Sequence, residues 1–152
     1  MNLKSVKRYF KIILVTGLIL AMTLCVFGCK KDDAGTYAEE VTEFYQKLST
    51  YDAKINTIDS KASDADVKLL EILDQMDNEF KEFAALDPPA SVQEAKEHAN
   101  NASKCMSNAV SYYHEAFKGE KPDETALQNA KLQYENAFIE IKNVGVALQN
   151  AN

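Results

Sequence analysis

Apolar residues recur along four stretches of the chain in alternating steps of three and four residues. Such spacing keeps one side of a helix apolar over its whole length and leaves the other side polar. The pattern therefore predicts four amphipathic helices. Their apolar positions are Tyr37, Val41, Phe44, Leu48, Tyr51, Ile55 and Ile58; Leu69, Leu73, Met76, Phe80 and Phe83; Val92, Ala95, Ala99, Ala102, Met106, Ala109, Tyr113 and Ala116; and Leu127, Ala130, Tyr134, Ala137, Ile141, Val144 and Leu148.

Turn-forming residues separate these four stretches. Pro88 and Pro89 mark one turn, Gly119 and Pro122 mark another, and a polar cluster at residues 59–63 marks a third. Short turns make neighbouring helices run antiparallel, and each helix is expected to hold about 22 to 27 residues. The sequence thus predicts an all-α, up-down-up-down antiparallel four-helix bundle. One long helical hairpin or an extended coiled coil is the alternative.

Helix starts are predicted from the residues that follow these turns. Thr36 with Glu39, and Ser91 with Glu94, have the spacing of a capping box, in which side chain and backbone cap each other. Pro122 precedes two acids, and both residue types are favoured in a first helical turn.

The third predicted helix has alanine at five positions of its apolar face. Small side chains let a neighbouring helix approach closely and complement bulky aromatic residues on the other helices. Close packing is therefore the expected role, and a cavity for an apolar ligand is the alternative. The five alanines are Ala95, Ala99, Ala102, Ala109 and Ala116.

The N-terminus has four basic residues and no acid within its first 11 positions, followed by an apolar segment at residues 12–27. This is the composition of a secretory leader. The segment ends in Val26, Phe27, Gly28 and Cys29, which resembles the lipobox of bacterial lipoproteins. The resemblance implies that Cys29 receives a diacylglyceryl thioether and becomes the first residue of the mature protein.

The resemblance covers the first 29 residues and divides the chain into three parts. Residues 1–28 are a cleaved signal peptide, residues 29–35 are the lipidated cysteine with a polar tether, and residues 36–152 form the bundle. An uncleaved membrane anchor and an ordinary secretory signal are the alternatives. All three place the bundle on the extracytoplasmic side. The lipid would lie in the cell membrane or, in a host with two membranes, in the inner leaflet of the outer membrane.

Charge argues against nucleic acid as a partner. Without residues 1–28 the chain keeps 13 Lys, no Arg and all 23 acids, a formal charge of −10. Nucleic-acid recognition generally needs a basic face, and often the planar guanidinium of arginine. The mature chain would also have Cys105 as its one free thiol, with no intramolecular disulfide.

No arrangement of residues indicates catalysis, a metal or another cofactor. His98 and Cys105 are separated by about 10.5 Å along a helix, too far for a nucleophile and its base. Glu94 and His98 lack further ligands for a metal, and the Glu-x-x-His motif of di-metal bundles is absent. We expect no enzyme; a thiol-dependent enzyme or sensor at Cys105 is the alternative.

The fourth predicted helix has a second apolar face. Leu132, Ile139 and Val146 recur every seven residues, opposite the face that is predicted to be buried. An apolar strip on a charged surface is typical of an association site. We therefore expect a non-enzymatic module that binds a protein partner, or a second copy of itself, through this helix. The alternative is a bundle that binds a small apolar or aromatic ligand between four tyrosines of the apolar faces, Tyr37, Tyr51, Tyr113 and Tyr134.

Overall fold

The computed structural model describes the backbone of residues 33–150 and the side chains of residues 35–150, so the leader and Cys29 lie outside the described residues. Within this range the chain is all-helical, with four α-helices and no strand. The helices are α1 (Asp33–Asn56), α2 (Ala65–Ala85), α3 (Glu94–Ala116) and α4 (Glu124–Asn150), and a short 3-10 turn (Ala90–Val92) precedes α3. None of these helices is long and apolar enough to cross a membrane.

The helix ends correct two of the predicted starts. α1 begins at Asp33, before Thr36 and inside the predicted tether. Ser91 lies in the 3-10 turn, and α3 begins after Gln93 without a side-chain cap. The turn takes up the residues after the two prolines, so the helix starts too late for Ser91 to cap it. At α4 only Glu124 of the predicted first turn lies in the helix, and Pro122 precedes it. Asp123 lies just before the helix, where its carboxylate accepts a hydrogen bond of 2.9 Å from the Ala126 amide.

The predicted apolar positions form the core. Every one of them in α2, α3 and α4 is buried, and they form a single cluster with those of α1. The exceptions are Tyr51 and Ile58, which are only partly buried at the C-terminal end of α1 and beyond it. The spacing of apolar residues therefore identified almost the whole core.

The helices pack at different separations. α3 and α4 share the most extensive close approach of their backbones, and both bury several alanines. α1 approaches α2 far less closely, because aromatic rings fill the space between them. The Phe44 ring lies edge-on to Phe80, with centroids 5.1 Å apart, and stacks on Phe83 at 4.2 Å. The separation of two helices depends on the side chains between them, so alanine brings α3 and α4 together.

One acid of the described residues is buried in the core. Asp77 of α2 is only 8 % exposed. Its carboxylate accepts a hydrogen bond of 2.6 Å from the Ser107 hydroxyl of α3, and it pairs with Lys81 at 2.6 Å. A buried carboxylate needs such partners, since leaving it unpaired costs several kcal/mol. Asp77 therefore ties α2 to α3.

Overpacking tests the close approach of α3 and α4. Ala102 is fully buried, so Ala102→Leu has no room for its added carbons and should lower the free energy of unfolding by about 1–3 kcal/mol. Urea denaturation followed by circular dichroism measures the change. Ala53→Leu on the exposed side of α1 is the matched control and should stay within about 0.5 kcal/mol of wild type. Equal effects of the two substitutions would contradict this account of the packing.

Candidate functional site

The outer face of α4 carries three of the four exposed large hydrophobic residues of the described chain. Leu132 is 53 % exposed, Ile139 56 % and Val146 42 %. We call these three residues the α4 strip. The remaining exposed large hydrophobic residue of the described chain, Val67, lies on α2. The strip is thus a concentration of apolar surface on one helix, and its role in binding stays a prediction.

The strip winds slowly around α4, by about 20° per seven residues, and has different flanks. Its residues are seven apart, so it extends about 21 Å along the helix at 1.5 Å per residue. On one side lie the charged residues Glu135 and Lys142; on the other side lie Asn136 and Asn143. The seven-residue spacing of the apolar residues could be read from the sequence. The flanking residues were not predicted, because the sequence comparison used only the apolar positions.

The inner face of α4 holds the strip in its outward orientation. Ala137, Ile141 and Val144 are fully buried there. The Tyr45 hydroxyl of α1 also donates a hydrogen bond of 2.9 Å to the backbone carbonyl of Ile141. Because α4 is packed along one side and bound to α1 as well as α3, it cannot rotate to bury the strip.

Both histidines pair with acids of neighbouring helices. His98 of α3 lies 2.6 Å from the Glu140 carboxylate of α4, and His114 lies 2.7 Å from Asp74 of α2. Neither pair could be predicted from the sequence, since Glu140 and Asp74 are each at least 40 positions from their histidine. No group of three or more potential metal-ligating side chains occurs among the described residues. Each histidine therefore connects two helices.

Cys105 lies in a setting that does not activate a thiol. The side chain is partly buried on α3. Burial raises its pKa, the nearby Glu140 carboxylate raises it further, and Lys104 lowers it to a smaller extent. Reactive cysteines have the reverse environment, with nearby positive charge and a lowered pKa.

The tyrosines expected to line a ligand pocket are mostly part of the core. Tyr37, Tyr113 and Tyr134 are buried, and Tyr51 is partly buried with its hydroxyl 3.4 Å from Glu79. Burial raises the pKa of both Tyr113 and Tyr134. The Tyr37 hydroxyl is buried without a hydrogen-bond partner among the described residues. Burial, with a smaller contribution from Glu40, raises the pKa of Tyr37 to about 12.

Residues 34–144 match a protein family described as "Family of unknown function (DUF6376)". The chain belongs to this family. The DUF6376 match begins within α1 and ends within α4, so it includes Leu132 and Ile139 but stops before Val146. No curated protein and no solved structure matches the chain. The family description assigns no function.

Substitution of Tyr37 tests the cost of its unpartnered hydroxyl. Tyr37→Phe should raise the free energy of unfolding by about 1 kcal/mol at pH 7, because it removes a buried polar group that has no partner. Tyr37 ionises in the unfolded chain near pH 10 and in the folded chain near pH 12. Its ionisation therefore leaves the free energy of unfolding unchanged below pH 10 and lowers it as pH rises from 10 towards 12. The variant should therefore lose less stability than wild type in this window.

Urea denaturation at pH 7 and at several values from pH 10 upwards measures both effects. Tyr45→Phe is the control, since its hydroxyl donates to the Ile141 carbonyl and its loss should be destabilising at pH 7. If Tyr37→Phe were as destabilising as Tyr45→Phe, the Tyr37 hydroxyl would have a partner.

Proposed function

We propose that this protein is a membrane-tethered, non-enzymatic helical module that acts through protein contacts at the α4 strip. The observation that carries the proposal is the strip itself, because it places three of the four exposed large hydrophobic residues of the described chain in one line. Contiguous exposed apolar surface is typical of association sites. The pairing of Asp77, His98 and His114 with side chains of neighbouring helices also favours a structural role for these groups.

We further propose that the helices form an up-down-up-down antiparallel bundle. Contacts between α1 and α2 support it, since Tyr37 contacts Phe83 whereas Lys47 pairs with Glu79. Between α2 and α3, Asp74 pairs with His114 and Asp77 with Ser107. In both pairs of helices the residue number on one helix falls as that on the other rises, as antiparallel neighbours require.

The tether is the diacylglyceryl group that the lipobox resemblance implies at Cys29. After cleavage, α1 begins four residues beyond this cysteine, at Asp33. Such a short segment would hold the helices close to the bilayer. The acidic mature chain has little attraction for anionic lipid headgroups, so the lipid is what keeps it at the membrane.

Intact mass spectrometry of the protein purified from bacterial membranes tests the tether. We expect residues 29–152 with a lipid added at Cys29. Cys29→Ser should retain the leader and carry no lipid, whereas the control Cys25→Ser should match the wild-type product. A wild-type protein with its leader attached, or one released without lipid, would contradict the tether.

Ile139→Glu tests the contact surface. Because Ile139 is 56 % exposed, a charge there should leave helical content and the melting temperature unchanged but abolish binding across the strip. The measurement is affinity purification from membranes, with co-purified proteins identified by mass spectrometry. The control is Val67→Glu, a similarly exposed aliphatic position on α2 that should retain the same partners.

Two results would contradict the proposal. Unfolding of Ile139→Glu would show that the strip belongs to the core. Recovery of an unchanged set of partners with this variant, together with unchanged self-association, would place the contact surface elsewhere.

The second candidate function is binding of a small apolar or aromatic ligand. The observation that favours it is the buried Tyr37 hydroxyl, which has no partner among the described residues and is free to donate a hydrogen bond. In that case Tyr37→Phe would eliminate the thermal shift that such a ligand produces, whereas Ile139→Glu would leave the shift intact.

A further inference from the structure

We propose that the partner at the α4 strip is a second copy of this chain, bound antiparallel about a two-fold axis that passes beside Ile139. This inference rests on the proposed function and names the partner. The charges that flank the strip support it, because in one orientation they are complementary to the same charges on a second copy.

The flanking residues have fixed positions around α4. At 100° per residue, Glu135 and Lys142 lie about 40° and 60° to one side of Ile139. Asn136 and Asn143 lie about 60° and 40° to its other side. α4 therefore has a charged flank and an amide flank, with the apolar strip between them.

A two-fold axis perpendicular to the helices brings each flank against the same flank of the other copy. Glu135 lies about 6 Å before Ile139 along α4, and Lys142 lies about 4.5 Å after it. The rotation reverses this direction for the partner. Glu135 is therefore level, to within about 1.5 Å, with the partner's Lys142, and the same pair forms a second time by symmetry.

The other contacts of this arrangement are complementary as well. Ile139 meets the partner's Ile139, and Leu132 meets the partner's Val146. On the amide flank Asn136 lies level with the partner's Asn143, and amide side chains can both donate and accept hydrogen bonds. A parallel pair of helices would instead place the charged flank against the amide flank, so Glu135 and Lys142 would have no opposite charge on the partner copy.

Formation of the new ion pairs requires only a small rearrangement. Glu135 lies 3.6 Å from Lys131 within its own helix, and both side chains are more than 40 % exposed. Exposed pairs of this kind contribute about 0–1 kcal/mol, so Glu135 can exchange Lys131 for the partner's Lys142 at little cost. Both short tethers can reach one membrane when the two-fold axis lies along the membrane normal and the helices lie parallel to the bilayer. Tethering would then raise the effective concentration of the two copies, so a small interface suffices.

Charge reversal tests the pairing in the full chain purified from membranes in detergent. Glu135→Lys places lysine opposite lysine in both pairs of the dimer, and Lys142→Glu places acid opposite acid. Each variant alone should self-associate about tenfold more weakly than wild type. A mixture of the two variants should regain wild-type affinity, because its heterodimer restores opposite charges in both pairs. Sedimentation equilibrium measures the association.

Crosslinking in intact membranes gives a second measurement that does not depend on the charged variants. With an added thiol oxidant, which accepts the two electrons, Ile139→Cys should form a disulfide-linked dimer, since the two-fold axis brings its two copies together. Ser111→Cys on the exposed side of α3 is the matched control and should not, and both variants retain Cys105.

Recovery of affinity in the mixture, or a crosslink confined to Ile139→Cys, supports the antiparallel dimer. A monomeric wild-type chain, a mixture that stays as weak as its components, or equal crosslinking of the two cysteine variants would overturn it. If the wild-type chain is monomeric but Ile139→Glu no longer co-purifies other membrane proteins, the dimer is wrong and the proposed function stands. If the wild-type chain is monomeric and Ile139→Glu keeps the same co-purified proteins, both the dimer and the proposed function are wrong.

Discussion

The close approach of α3 to α4 is the contact on which the other features of this structure depend. Both helices bury small side chains, among them the fully buried Ala102 and Ala137. Alanine loses little side-chain entropy on burial and lets helix axes come near one another. Larger aromatic rings, by contrast, lie between α1 and α2. Phe80 shows the consequence, because it is fully buried while it contacts Phe44 of α1 and Phe138 of α4.

Apolar burial alone leaves the relative position of two helices loosely defined, and polar side chains supply the missing specificity. Asp77 can reach Ser107 only when α2 and α3 are in one register, and His98 can reach Glu140 only in one register of α3 and α4. A slip by one turn would separate Asp77 from Ser107 and His98 from Glu140, although Asp77 would keep Lys81 of its own helix. Since a lost hydrogen bond is most costly at a buried carboxylate, the Asp77–Ser107 pair favours the observed register.

The helices and the core could be predicted from the sequence because both follow from local spacing. A step of three or four residues determines which side of a helix is apolar, and Leu73, Met106 and Ile141 are accordingly all buried. The helix starts were harder to predict from the sequence. Ser91 is an example, because it lies in a 3-10 turn and not at the cap of a helix. The pairs of Asp77 and His98 could not be found, since each joins residues that are at least 30 positions apart. The exposure of Ile139 was expected from its angle to the buried face. The residues that flank it indicate a partner only when they are compared with the same residues on a second copy.

The two apolar faces of α4 make different demands on the rest of the molecule. The inner face is satisfied by α3 and by the Tyr45 hydroxyl, which fixes the rotation of α4 about its own axis. A rotation of α4 that buried Ile139 would expose Ile141 and Val144 and break that hydrogen bond. The strip therefore cannot become buried within the same chain. Scattered exposed aliphatic residues are ordinary, whereas Leu132, Ile139 and Val146 recur every seven residues along a helix that is held in one orientation. The packing of the inner face thus keeps these three side chains exposed on the outer face of α4, which is the surface that the proposed association would cover.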